Sequence, residues 1–411
     1  MLFKYQLIYT ASFFGIFLSV FFFLTLLENL NKIKNPKLKG KPFVSVIVPA
    51  YNEEKNIRKT IDSLLHLDYP HFEIIVIDDG STDSTLRIAK EMAKLDKKIK
   101  VYTKKNGGKA SAINFALKRT KAKFVATLDA DSFVTPSALK KMIGYFGDPT
   151  VASVTPSLKV YEPKGWLPRI QQIEYLFGVF YRKIFAFLNV LHVTPGPFSL
   201  YRKEFFDKHG MFDEDNPTED TEIALRIQSN HYKIENSIDS VVYTVSPRKF
   251  VELLNQRKRW YYGLITNLEN YMHLFTPQYG YLALLALPAA LLSVVLIFML
   301  VGYFFYITID KAIQAFINYG LVGFDFITLL KGFKLEYLYY GYVGPLTFFL
   351  VALVLINILF VYLAKKHSGG KEKLKLSYFY YFGSYAYLYA FWWLVAIISR
   401  FFGVKWKGRD Y

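Results

Sequence analysis

Paired carboxylates and one cluster of cations supply the residue types from which group-transfer chemistry is built. In "VIDDGSTDST", Asp78 and Asp79 close an apolar run and precede a polar turn, and in "TLDADSF" Asp129 and Asp131 do the same. Carboxylates two apart in a turning segment can aim oxygens at one hard cation, and Mg2+ prefers one or two carboxylates plus phosphate oxygens from a substrate. An ordinary loop acid pair is the alternative; Phe133 and Val134 exclude an EF-hand, which needs an oxygen ligand and then glycine there. "NGGKAS" reads either as a turn opening a helix or as a backbone that lets Lys109 approach a diphosphate at that helix start. It is not a P-loop, and no G-x-G-x-x-G follows the first strand, so neither a Walker ATPase nor a dinucleotide enzyme is supported.

In "PTEDTEIALRI", Thr218 reads as an N-cap, with Glu219 and Asp220 in a first turn where the helix dipole favours anions. Capping explains this pair, and so does a general base aimed at an acceptor hydroxyl. "NQRKRW", Asn255 to Trp260, sets three cations beside a tryptophan ahead of a long apolar run. Such residues bind anionic head groups. On a helix, however, Gln256, Arg259 and Trp260 fall at i, i+3 and i+4, so one face presents a clamp and an aromatic platform to one ligand. Arg257 and Lys258 are then left for lipid contact.

These residues sit where an open α/β sheet binds ligands, beyond the ends of its strands. "FVSVIVPAY", "FEIIVIDD", "IKVYT", "FVATLDAD" and "VASVTPSLKV" read as strands buried on both faces. Between them, Ile57, Ile61, Leu64 and Leu65 mark one helical face, and Thr135 with Pro136 reads as an N-cap and first turn. The alternation predicts a sheet with crossover helices. Ile170, Ile173, Phe177, Phe180, Ile184, Phe187 and Leu191 recur at steps of three and four, with Arg169, Gln171, Gln172, Glu174, Arg182 and Lys183 on other faces. That pattern predicts an amphipathic helix suited to a membrane interface, a buried core helix being the alternative. Arg248 to Phe275 predicts a second such helix, carrying "NQRKRW".

Of the 411 residues 53% are hydrophobic and 18% aromatic, which is high for a soluble globular protein and typical of a membrane-embedded one. The net charge of +18 beside apolar spans fits a cytoplasmic membrane face or a polyanionic ligand, and nucleic acid is not the expected partner. With no cysteine, disulfides, thiolate metal sites and a thiol nucleophile are excluded, and any metal sits on oxygen or histidine ligands. Leu7 to Leu27 is long enough to span, and the lysines of "NKIKNPKLKGK" after it place the next domain in the cytoplasm. Tyr281 to Ile309, a Tyr337 to Ala364 run containing Pro345, and Tyr378 to Ile398 predict three further spans. Ile313 to Leu330 reads as a re-entrant or interfacial helix.

Taken in order, "VPAYNEE", "VIDDGSTD", "NGGKASAIN", "LDAD", "GPFSLYRKE", "TEDTEIALRI" and "QRKRW" resemble the membrane-integrated, processive, inverting glycosyltransferases of GT-A fold, such as cellulose, chitin, hyaluronan and poly-N-acetylglucosamine synthases. The resemblance implies an α/β GT-A cytoplasmic domain over residues 31–247, with an interface helix at about 167–191. It implies one membrane helix in residues 1–30, an interface helix at 248–275 and about three spans in 276–411. Tyr51, Glu53 and Asp79 would hold a uridine and Lys109 the diphosphate. Asp129 would bind donor sugar or nucleotide, and Asp131 a Mg2+ or Mn2+ ion. Asp220 would be the base, Gln256 and Arg259 would stabilise departing UDP, and Trp260 would stack on the acceptor sugar. Gly196 and Pro197 resemble an acceptor-side segment, although cysteines often seen just before it are missing. The expected function is transfer of a hexose or N-acetylhexosamine from a UDP-sugar to a growing β-linked polysaccharide with membrane export, by a multi-pass cell-membrane enzyme. Alternatives are single transfer to a polyprenyl phosphate or ceramide-like lipid, and a non-catalytic nucleotide-sugar or polymer binder. A homo-oligomer or an accessory export subunit is a further expectation, since few spans are available for a channel.

Overall fold

The computed structural model describes residues 2–37, 40–321, 345–402, 405–406 and 409–410. It opens with a long apolar helix, α1 (Leu2–Glu28), and then enters a sheet. Strands β1 (Val44–Ala50), β2 (Phe72–Asp78), β3 (Ile99–Thr103) and β4 (Phe124–Thr127) run parallel, linked by helices α2 (Ile57–Leu65), α3 (Thr85–Leu95) and α4 (Lys109–Leu117). The unbroken apolar character of β1, β2 and β4 follows from cover on both faces, whereas β3, expected to be buried likewise, lies at the sheet edge with only Ile99 buried. Val46 and Val48 pack with Ile57, Ile61 and Met92 on one side, whereas Ile47 packs with Ile113 and Ala116 on the other.

The chain continues through β5 (Ser132–Val134), α5 (Ala138–Met142), β6 (Val151–Val160), α6 (Trp166–Phe187), β7 (Ser199–Arg202), α7 (Lys203–His209), α8 (Glu219–Ser229) and β8 (Lys233–Thr244). All eight strands form one mixed sheet in the order β3-β2-β1-β4-β7-β6-β8-β5, with β7 antiparallel to both β4 and β6. Strands β5, β7 and β8 were not expected from sequence. The N-cap expected at Thr135 falls instead at Ser137. Both the amide and the hydroxyl of Thr135 donate to the Val241 carbonyl, which holds that residue against the sheet before the helix can begin.

Helix α6 ends at Phe187, before Leu191, and it is buried around most of its circumference. It lies between β6 and β8 on one side and two apolar helices, α11 (Pro345–His367) and α12 (Lys375–Ser399), on the other. The Phe180 and Phe360 rings stack 4.1 Å apart across that seam. Three of the polar residues that suggested a solvated face, Gln171, Gln172 and Lys183, are buried with partners. Gln172 accepts from the Ser377 hydroxyl at 2.6 Å, and Lys183 donates to the Asn236 carbonyl at 2.9 Å. Helix α9 (Phe250–Asn270) crosses beside α6 and packs on α12, where the Tyr261 and Trp393 rings lie 4.7 Å apart.

Among the described residues, four helices are long and apolar enough to cross a membrane: Gln6–Glu28, Leu282–Ile317, Thr347–His367 and Lys375–Ser399. Residues 313–321 continue the helix α10 (Leu287–Leu321), so no separate re-entrant helix starts there, and 322–330 lie outside the described residues. Residues 337–344 of the run expected from Tyr337 also lie outside them.

Candidate active site

Two cavities meet beyond the strand ends. The first, about 190 Å3, is lined by Tyr51 and Glu53 after β1, Asp79 after β2, Lys109 at the start of α4, and Asp129 and Asp131 after β4. The second, about 450 Å3, runs under α9 and along α6, and is lined by Asp220, Trp260, Tyr175, Gly196 and Pro197 among others. Lys109, Asp129, Asp131, Glu219, Gln256 and Arg259 line both. Every side chain to which the resemblance gives a role thus borders one cavity or the other, whereas Asp78 lines neither and accepts from the Thr103 hydroxyl at 2.9 Å.

Local hydrogen bonding explains how the first cavity keeps its shape. The Asp79 carboxylate accepts from Gly107 N–H at 3.0 Å, Gly108 N–H at 2.7 Å and the Lys104 ammonium at 2.9 Å. This acid therefore fastens the glycine loop that delivers Lys109. The Lys109 ammonium reaches Asp129 at 2.6 Å and Glu219 at 3.1 Å. Burial alone would lower that ammonium, but Asp129, Glu219 and Asp220 outweigh it and hold it above its ordinary value. Glu219, which capping seemed to explain, is thus a buried partner of the lysine.

Asp220 stands at the start of α8, and its Oδ1 accepts from Thr221 N–H at 2.9 Å. Burial, reinforced by Glu219, pushes this carboxyl up to about 6 against the opposing pull of Lys109 and Arg259. Thr218 occupies the N-cap position, yet its hydroxyl makes no cap. It accepts instead from Asn267 of α9 at 2.9 Å, and Asn267 also accepts from Asn216 at 2.8 Å. Arg259 Nη1 donates to the Pro217 carbonyl at 2.7 Å. Helix α9 therefore sets the position of Asp220 as well as supplying the cationic roof.

That docking depends on a close approach at Gly263, where a Cβ would lie 2.8 Å from the Thr218 Cβ. Gly263→Ala is expected to push the two helices apart and destabilise the fold by about 1–3 kcal/mol. A thermal melt in detergent checks this, and an unchanged melting temperature would mean that the helices yield without cost.

One assignment in the cation cluster is reversed. Arg257 was expected to face lipid, but its side chain is 3% exposed, pairs with Glu174 at 2.8 Å and lies over the Trp260 ring at 4.2 Å. The reason is helical spacing, since 257 and 260 are themselves i and i+3. Spacing alone did not disclose Glu174, Asn216 or Arg182 as cavity or docking residues; the last shares the Glu174 face at i+8, which is visible once the helix is known to line a cavity.

The acids also fit a divalent cation. Asp129 and Asp131 border the same space, and the buried Gln256 Oε1 beside them has no hydrogen-bond partner. Among the described residues no group of three or more His, Cys, Asp or Glu forms a cage. A site of one or two carboxylates completed by diphosphate oxygens suits Mg2+ or Mn2+.

Residues 45–210 match the family described as Glycosyl transferase family 2. Over 237 residues, 57% of each chain, the sequence is 30% identical to a poly-beta-1,6-N-acetyl-D-glucosamine synthase of Staphylococcus epidermidis. It is 30% identical over 250 residues, 60% of each chain, to a protein of the same name from Staphylococcus aureus strain COL. The match therefore spans less than two thirds of those relatives. Among solved structures, the mannosyltransferase PcManGT of Pyrobaculum calidifontis, in complex with GDP-Man and Mn2+, superposes with a TM-score of 0.52. That match has 21% identity and covers 85% of this chain and 99% of that one. The mixed sheet with cavities beyond its strand ends has the GT-A fold, residues 45–210 of it match the Glycosyl transferase family 2 model, and among the described residues it is joined to four helices long and apolar enough to cross a membrane.

Proposed function

We propose that the chain transfers a hexose or N-acetylhexosamine from a UDP-sugar to a growing β-linked polysaccharide, with inversion, at a membrane. The observation that carries this reading is the shared wall. Lys109, Asp129, Gln256 and Arg259 border both cavities, and Asp220 borders the second. A donor in the first cavity then presents its anomeric carbon to an acceptor in the second.

In this reading Tyr51, Glu53 and the Asp79-fastened loop hold the nucleotide. Asp220 takes the proton from the acceptor hydroxyl, whose oxygen bonds the anomeric carbon as the bond to the diphosphate breaks. Lys109, Gln256 and Arg259 stabilise the departing diphosphate, and Trp260 carries the acceptor sugar. Asp131, with Asp129, would hold Mg2+ or Mn2+, which adds positive charge beside the diphosphate when bound. The mannosyltransferase of similar fold was solved with Mn2+, in keeping with this donor set. Continuity of the second cavity with α6 and α9, both packed on the apolar helices, supports a membrane-borne product or acceptor. The lysines after α1 support a cytoplasmic catalytic domain. The same packing supports the division into residues 1–30, 31–247, 248–275 and 276–411.

A base works deprotonated, so raising the Asp220 carboxyl to about 6 places its working range above that pH. The expected kcat/KM profile is flat near neutrality and falls about tenfold per pH unit below about 6. A profile that stays flat well into the acid range would remove Asp220 as the titrating base.

The substrate assignment is tested with protein in nanodiscs, given labelled UDP-glucose, UDP-N-acetylglucosamine and UDP-glucuronate singly and in pairs with Mg2+ or Mn2+. A long, enzyme-digestible polymer is expected. Label confined to a one-sugar lipid would replace the polymerase reading with single transfer.

A further inference from the structure

Helix α6 turns one face to the second cavity, carrying Glu174, Tyr175, Gly178 and Arg182. The other cations of that cavity have counter-charges or defined partners. Arg257 pairs with Glu174, Lys109 with Asp129 and Glu219, and Arg259 holds the Pro217 carbonyl beside Asp220. Arg182 differs. Its Nε and Nη2 are closed off from solvent, and neither has a hydrogen-bond partner. A guanidinium is costly to desolvate without an anion, and burial lowers Arg182 to about 10 with no carboxylate offsetting it. Its place is nevertheless built for it. The head group folds back over Gly178, where a Cβ would come within 3.2 Å of Nη1. Burial pushes Tyr175, on the same face, up to about 12, so its hydroxyl keeps its proton and can donate to the same group.

We propose that Arg182 is an anion-binding residue of the acceptor cavity, and that the acceptor carries an acidic oxygen group, a carboxylate or a phosphate, which pairs with this guanidinium during transfer. The inference rests on reading the second cavity as the acceptor site. A planar fork of donors matches either group bidentately, and the ion pair would cancel the cost of the buried charge. The acid group has two sources, a uronic acid unit in a glycan or the phosphate of a polyprenyl lipid, and the same chemistry serves both.

The test supplies three acceptors to the full chain in nanodiscs: a neutral β-linked oligosaccharide, an oligosaccharide ending in glucuronate, and a polyprenyl phosphate. Kinetics are compared for wild type, Arg182→Gln, Arg182→Lys and Gly178→Ala, with nucleotide-sugar affinity measured in each. For the acidic acceptor that wild type prefers, Arg182→Gln is expected to raise KM about 10- to 100-fold with kcat and donor affinity little changed. Arg182→Lys should recover part of the loss, and Gly178→Ala, which displaces the head group without removing it, should raise KM in the same direction. Whichever acidic acceptor responds names the source. Wild-type preference for the neutral oligosaccharide, or an unchanged acidic-acceptor KM in both Arg182→Gln and Gly178→Ala, would overturn the inference while leaving the transferase reading in place. Wild type that neither releases UDP nor labels any acceptor would remove both.

Discussion

Asp220→Asn is expected to lower sugar transfer by ~10²–10⁴-fold, the range for loss of a positioned general base, while nucleotide-sugar affinity stays close to wild type. The amide is nearly isosteric and can still accept from Thr221 N–H, so the start of α8 keeps its geometry. What is lost is the acceptor-side lone pair that takes the proton. The carboxylate lines the second cavity and not the first, which is why turnover and donor binding should separate. Single-turnover transfer measured beside calorimetric titration of the UDP-sugar tests this. Equal losses in both would mean that Asp220 serves donor binding, and wild-type turnover would end its assignment as base.

The second large effect is expected at Arg259. Removing one preorganised donor to a developing anion costs about 10²–10³ in kcat, and Arg259→Ala is placed in that range. Its Nη1 also holds the Pro217 carbonyl just before α8, so part of the loss would be positional. Arg259→Lys separates the two contributions. It restores the charge and not the fork, so partial recovery of kcat is expected if leaving-group stabilisation dominates. No recovery with Lys, together with a shifted pH profile for Asp220, would assign the residue to positioning α8 instead.

The first cavity was legible in the sequence because strand ends announce themselves. Continuous apolar runs terminate at Asp78, Asp79 and Asp129, and each acid falls where a parallel strand delivers it. Strand β8 was not legible, because Asn236, Ser237, Asp239 and Ser240 break its apolar pattern. Those side chains find distant partners in the tertiary structure: Asn236 donates to the Thr155 carbonyl at 3.1 Å, and Ser237 donates to Asn35 at 2.9 Å. The same blindness affected α6, whose buried glutamines and lysine imitate a solvated face until Ser377 and Asn236 are brought against them. In "NQRKRW" the spacing of Gln256, Arg259 and Trp260 identified the face, yet it missed that Arg257 joins Trp260 from one turn earlier. Which cation of an adjacent set is buried depends on a distant acid, here Glu174 at 2.8 Å, and no local pattern encodes that. Helices chosen for length and apolarity were, by contrast, readable in place, although α10 continues to Leu321, well past the end expected at Ile309.

The most direct test of the central claim is coupled stoichiometry in the purified chain. With Mg2+ or Mn2+ and a UDP-sugar that it accepts, wild type is predicted to release one UDP for each sugar incorporated, and Asp220→Asn to do neither at a comparable rate. Release without incorporation, the same coupled rate in both proteins, or no release from wild type with any UDP-sugar would contradict the account.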